Sequence, residues 1–520
     1  MDLKQMMECL ENDRREAVTS ITASHQLAAF YLSVLTEEKF RCYGMSGFLF
    51  TQSSFAGHIQ LRDDVFALEW ALRSLKLPDS ECILIDKLRK KYRDEIACAA
   101  STVLDDALKY GHVRDLVICA NRGGYIVEFP ESNTIIFKDN PSWPGTSDIK
   151  SRLIGDRISA ERNTQCNINS IDNLTLDKTS AYDDFPHDIQ GEIYSGSDFW
   201  ALWNCLFEMC KDRMVEDSAI RNNGTYAATS KTNELCILIT KKRLLAHIHS
   251  TTGIEHDTIK IFLLWLSFNS ETERKFTLFH CPLIEINDKF YLILPNVIML
   301  SHVPTIFLRL LAHHDKQVYD TYSTDMEKLT LRRLKDHLGD AGRILKTNVQ
   351  IDASSEPMEI DFVEFDQSNS ILTICQAKLT IRADSVAEVD HSNRVLSQGV
   401  DQLRKNKETF GSDQNALIEL CSKLGINCED ISQIQYFLLP TRFTGSDYLD
   451  IPEWVTCLPV EFCLQSKYIG KSLNSIVNAY RALWDSIDEE QTFSKDECTF
   501  DIGDFKITFP GFSMAKEEST

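Results

Sequence analysis

The chain has 520 residues, 43% of them apolar and 25% charged, a length that at about 150 residues per domain suggests several domains. Ordinary apolar content with only 21 Gly and 13 Pro excludes collagen-like, low-complexity and wholly disordered classes. A net charge of −22 argues against coating nucleic acid or anionic membrane through the overall field, although a local groove can differ in sign from the whole.

The opening MDLKQMMECLENDRREAV has charges where a signal peptide needs an apolar core. No apolar run approaches the roughly 18 residues of a membrane span, and IFLLWLSF is too short. The 16 Cys are scattered without a CxxC, so free thiols in a reducing, cytoplasmic setting are expected, and no membrane partner.

Residues 1–138 read as a helical region ending in short strands. SHQLAAFYLSVLTEEKF, DVFALEWALRSL and RDEIACAASTVLDDALKYG carry apolar residues at three- and four-residue spacings. VRDLVICA, YIVEF and TIIF then read as strands joined by turns. Residues 139–196, rich in Asn, Asp, Ser and Thr, form the linker or loop candidate. Residues 197–315 predict a helical domain with a hairpin, PLIEINDKFYLILP, turning at Asn287-Asp288. Residues 491–520 predict a C-terminal hairpin and tail.

Several motifs fail on chemistry. IGKS (469–472) ends like a phosphate-binding loop, but Gln465 stands where the first glycine should be. The pairs His247/His249 and His313/His314 lack a carboxylate-and-histidine pattern at zinc spacing.

The informative stretch is 325–410. DMEKLTLRRLKDHLG predicts a helix with Asp325 as N-cap and Gly339 as C-cap. Glu327 lies four and seven residues before Leu331 and Leu334 and shares their inward stripe, where a carboxylate is costly unless paired or metal-bound. RILKTNVQI, MEIDFVEFD and ILTICQAKL read as three strands, the last two joined by the turn residues Gln367–Ser370. Pairing Asp366 with Ile371 makes opposed residue numbers sum to 737, which sets Asp361 opposite Gln376 and Glu359 opposite Lys378. Alternation then places all four on one side of the hairpin, under the helix that carries Glu327. Two carboxylates and an amide suit Mg²⁺ or Mn²⁺, and a neighbouring lysine suits charge developing on phosphate. Three acids sharing one lysine predict raised carboxylate pKa values.

At these residues the sequence resembles the PD-(D/E)XK, or restriction-endonuclease-like, nuclease superfamily. The matching pieces are Glu327, then Ile360-Asp361, then Gln376-Ala377-Lys378; Gln376 stands where an acid is usual, as in the Mrr-like variant with Gln-x-Lys. The resemblance covers residues 316–490. It implies a multidomain α+β chain whose mainly helical N-terminal region precedes a C-terminal α/β domain built on a central mixed sheet. QIQYFLLPT and PVEFCLQ are expected as further strands and SLNSIVNAYRALWDSI as a packing helix.

The implied function is metal-dependent hydrolysis of phosphodiester bonds, in DNA before RNA, with defence against foreign DNA as a fold-level analogy. Glu327, Asp361 and Gln376 would be metal-binding and catalytic, with Mg²⁺ or Mn²⁺ as cofactor and Lys378 assisting the water nucleophile or stabilising the transition state. In the helix HSNRVLSQGVDQLRKNKETF, Gln398 or Gln402 would support the site. Gln402, Arg404 and Lys405, with Lys407, would contact nucleic acid. Residues 316–410 hold 13 Lys plus Arg against 16 Asp plus Glu, so they form no basic patch. The N-terminal region would carry recognition, a regulatory partner or homo-oligomerisation. An RNA-cleaving toxin-like nuclease and a catalytically silent nuclease-fold scaffold or binding protein are the alternatives.

Overall fold

The computed structural model describes residues 3–20, 25–42, 55–75, 77, 94–121, 123–141, 185–222, 235–340, 342–352, 357–381, 386–442, 451–485 and 493–514. It is a mixed α/β protein. Among the described residues no helix is long and apolar enough to cross a membrane. The central part of the polar stretch read as a linker, 142–184, lies outside the described residues.

Among the described residues the chain opens with the helices α1 (Leu3–Ser20), α2 (His25–Cys42), α3 (Phe55–Arg73) and α4 (Asp94–Asn121). VRDLVICA, expected as a strand, is the last part of α4. Its β-branched composition misleads, because Tyr110, Val113, Leu116, Val117 and Ala120 recur at helical spacing against one core. β1 (Tyr125–Glu131) and β2 (Thr134–Asp139) follow as the expected short strands and pair antiparallel. The C-terminal hairpin, β12 (Phe493–Ile502) and β13 (Phe505–Met514), joins them, with β13 parallel to β2 in the order β1-β2-β13-β12.

The middle of the chain runs through α5 (Gly196–Asn222), β3 (Ile237–Thr240), α6 (Lys241–Thr252), α7 (His256–Trp265) and β4 (Ser267–Phe268). The expected hairpin is β5 (Leu283–Asn287) and β6 (Phe290–Ile293), and α8 (Pro295–Leu300) and α9 (Val303–His314) come after it. The Asn287 side chain accepts from the Lys289 and Phe290 N–H groups and so closes the turn. These elements share one hydrophobic core with α2, α3 and part of α4, so the two helical regions read separately from sequence pack as one body.

The last third holds the five-stranded sheet. α10 (Lys316–Leu338) leads into β7 (Arg343–Ile351), β8 (Met358–Asp366) and β9 (Ile371–Lys378). α11 (Val386–Ser412), α12 (Gln414–Leu424), β10 (Gln433–Pro440) and β11 (Val455–Cys457) follow, then α13 (Val460–Cys463) and α14 (Leu473–Asp485). The strand order is β11-β10-β9-β8-β7, antiparallel from β7 to β9 and parallel from β9 to β11, which makes the sheet mixed. Leu331, Leu334 and Leu338 of α10 pack on one face with α13 and α14, while α11 and α12 cover the other. Burying each such leucine stabilises by roughly 1.5–3 kcal/mol.

Two expectations here need correction. α10 starts at Lys316, well before the position that an Asp325 cap would give it. Its N-cap is Asp315, whose side chain accepts from the Val318 N–H at 3.2 Å, and Asp325 lies exposed within the helix. The extra turns exist because Val318, Tyr319 and Tyr322 pack against the helical core. PVEFCLQ is not a strand but the short helix α13, whose Phe462 N–H bonds to the Pro459 carbonyl at 3.1 Å. Phe462 and its neighbour Cys463 are buried in the same core with Val460, which the alternation of a strand does not permit.

Candidate functional site

The β8–β9 hairpin has the expected register. Its ladder runs from Asp366↔Ile371 to Phe362↔Cys375, all pairs summing to 737. Asp366 seats the turn by accepting from the Ser368 and Asn369 N–H groups. Beyond Phe362 the ladder stops and side chains take over from main chain. Asp361 Oδ2 accepts from the Ala377 N–H at 2.8 Å, and Gln376 Nε2 donates to the Glu359 carbonyl at 2.9 Å. On its other side β9 stays paired with β10 to its last residue, Lys378↔Pro440. The end of β9 is therefore fixed on one edge and opened on the other.

The expectation that strict alternation gathers the four residues on one side needs revision. Along β9 the alternation holds but the covering helix differs from the expected one: Cys375 and Ala377 pack on the α10 side, so Gln376 and Lys378 point together to the α11 side and not under the helix that carries Glu327. Along β8 it fails at Asp361. Ile360 packs in the α11-side core while Phe362, two residues on, packs in the α10-side core. β7 does the same across the way, with Leu345 on one side and Val349 on the other. Both switches fall at one place: Asn348 has a φ of 52°, and the position where it meets Asp361 is missing from an otherwise continuous ladder. Such irregularities re-aim side chains beside functional sites.

The charges converge at this opened end. The half-buried Glu327 of α10 accepts from the Leu379 N–H, just past β9, and feels Lys378 and Glu359. Asp361, 9% exposed, feels Lys378, Glu327 and Glu359. Burial is the main cause that pushes the Asp361 carboxyl up to about 6; Lys378 and the Ala377 N–H oppose it, and the two glutamates add to it. Glu327 is raised by the same burial, against Lys378 and the Leu379 N–H. In both acids burial disfavours the charged form more than Lys378 and the main-chain N–H groups favour it.

Gln376 is 1% exposed and joined to β8 through its amide. Gln398, Gln402, Arg404, Lys405 and Lys407 lie exposed on α11. Arg404 pairs with Asp401 at 2.6 Å, and Lys407 sits 4.4 Å above the Trp454 ring. The structure brings Glu327, Asp361, Gln376 and Lys378 together and leaves the α11 cations on the outer surface. The role of Asn348 was not predicted; its one signal was an Asn inside a strand, where Asn is depleted and a left-handed conformation is tolerated.

Among the described residues no three His, Cys, Asp or Glu side chains are grouped tightly enough to form a ready-made metal cluster. The set at the end of β9 is two acids and an amide, an all-oxygen donor set that suits a hard cation. Cavities of about 380 Å³ beside Trp454 and about 390 Å³ beside Arg343 are lined by other residues. Compared with protein-family models, with curated proteins and with solved structures, the chain matches none.

Proposed function

We propose that this chain is a metal-dependent nuclease of the restriction-endonuclease-like fold that hydrolyses phosphodiester bonds, with DNA as its substrate. The observation that carries the reading is the meeting of Glu327, Asp361 and Lys378 where β8 parts from β9. The mixed sheet between two helical layers supports the fold that the motif implies.

Glu327, Asp361 and the Gln376 amide oxygen would hold Mg²⁺ or Mn²⁺; the under-compensated charge of the two acids is what such an ion relieves. When bound, the cation supplies Lewis acidity toward phosphate and activation of water. The chain's own residues do the rest. Ala377 and Leu379 main-chain N–H groups hold the two carboxylates in place, so little reorganisation is needed on loading. Lys378 supplies a fixed positive charge where negative charge builds on the phosphoryl oxygens. Specificity between DNA and RNA rests on contacts outside this site, because phosphate chemistry ignores the 2′-hydroxyl.

The test is cleavage of plasmid DNA, linear DNA and RNA, each with and without Mg²⁺ or Mn²⁺, with Lys378→Ala as control. Metal-dependent cleavage of DNA lost in the variant is the expected result. RNA cleavage alone would move the substrate to RNA. One observation favours a second reading, a silent nuclease-fold binding protein: Gln376 is neutral, buried and already tied to the Glu359 carbonyl. Nucleic-acid binding without cleavage in any metal would decide for it.

A further inference from the structure

Gly399 lies buried inside the 27-residue α11. Glycine is, after proline, the least favourable residue in a helix interior, so its presence there needs a packing reason. The reason is visible on the sheet beneath. A Cβ at this position would stand 2.5 Å from Leu438 Cδ1 and 3.3 Å from both Cγ and Cε of Lys378. The helix backbone therefore passes close enough to the methylenes of the candidate catalytic lysine that a Cβ would crowd them.

We propose that Gly399 is a positioning residue: by lacking a side chain it lets α11 clamp the stem of Lys378 and direct its ammonium toward Asp361 and Glu327. This rests on the nuclease reading above. A free lysine side chain has many rotamers, and holding its stem removes that freedom before the reaction begins. Leu438 lies opposite Gln376 on β10 and is fully buried, so it has little room to yield.

Two contacts compete as the reason for the glycine, and they can be separated. Gly399→Ala pushes on both Leu438 and Lys378. Leu438→Val removes Cδ1 and so relieves the closer contact, leaving the one with Lys378. The single variant Gly399→Ala is expected to lower kcat by on the order of 10- to 100-fold with KM unchanged, as a displacement of about 1 Å in a reacting group can do. In Gly399→Ala/Leu438→Val the melting temperature should return toward that of Leu438→Val while kcat stays low. Recovery of kcat together with stability would overturn the proposal and make Gly399 a packing glycine for Leu438 alone. If the wild type cleaves neither DNA nor RNA, the nuclease reading fails by itself. Crystal structures of the wild type and the double variant still decide the clamp: a displaced Lys378 Nζ supports it, and an unmoved one refutes it.

Discussion

Asn348 and Asp361 stand opposite each other at the single interruption of the β7–β8 ladder, and Asn348 has a positive φ there. A β-branched residue is strained in that conformation, whereas glycine is not. Asn348→Val should therefore destabilise the fold by about 1–3 kcal/mol and reduce any activity, while Asn348→Gly should keep both near wild type. Denaturant unfolding and the nuclease assay check this; equal effects of the two substitutions would remove the conformational explanation.

Asp361→Asn should abolish cleavage yet stabilise the metal-free protein at neutral pH. The folded pKa is raised from 3.8 to about 6, so the folded state holds its proton longer than the unfolded one. Stability is full below about pH 4 and declines as pH rises through 6. Asn keeps an oxygen for the Ala377 N–H and never ionises. The variant should match the wild type at pH 4 and exceed it by on the order of 2 kcal/mol at pH 7.5. Melting curves at the two pH values read the difference, and a variant that is less stable at both would contradict it.

Gln376→Glu tests the amide. It removes the donor to the Glu359 carbonyl and adds a third buried acid near Lys378. Without metal the variant should lose about 1–3 kcal/mol. Millimolar Mg²⁺ or Mn²⁺ should restore more stability to it than to the wild type, because the ion binds only the folded site. A variant whose melting temperature ignores both metals would speak against a cation at this position.

Lys378→Ala should reduce cleavage by on the order of 10² to 10³ with little change in KM, since the lysine acts on charge present mainly in the transition state. A loss expressed wholly in KM would place Lys378 in ground-state binding.

Glu364 provides a control away from the site. It accepts from the Leu473 N–H at the start of α14 at 2.9 Å, and burial raises its pKa from 4.5 to about 7. Its charged form weakens the fold as pH rises from about 4.5 through 7. Glu364→Gln should flatten that decline and leave cleavage unchanged. Stability followed from pH 5 to pH 8 in both proteins measures it, and an unchanged slope would remove Glu364 as its source.

The parts of this structure legible in the sequence are those governed by local chemistry. The turn residues Gln367–Ser370 set the β8–β9 register, and that register makes Asp361 and Gln376 neighbours on sequence grounds alone. What stayed hidden depends on partners distant in sequence. The early start of α10 comes from Tyr319 and Tyr322 meeting the helical core, and α13 forms because Val460, Phe462 and Cys463 all find a buried home. The turnover at Asn348 is a backbone event that alternation cannot express. A regular strand and the irregular one nonetheless bring the same carboxylate to the same lysine.

The parallel pairing of β2 with β13 has a bearing on how the chain is assembled during synthesis. Residues 134–136 wait for residues 506–508, and every strand of the five-stranded sheet is made in between. Until then the edge of β2 is an open template for other strands. A ribosome-bound chain lacking its last hairpin is therefore the form most exposed to misassembly, and a chaperone that shields a strand edge would be of most use at that moment.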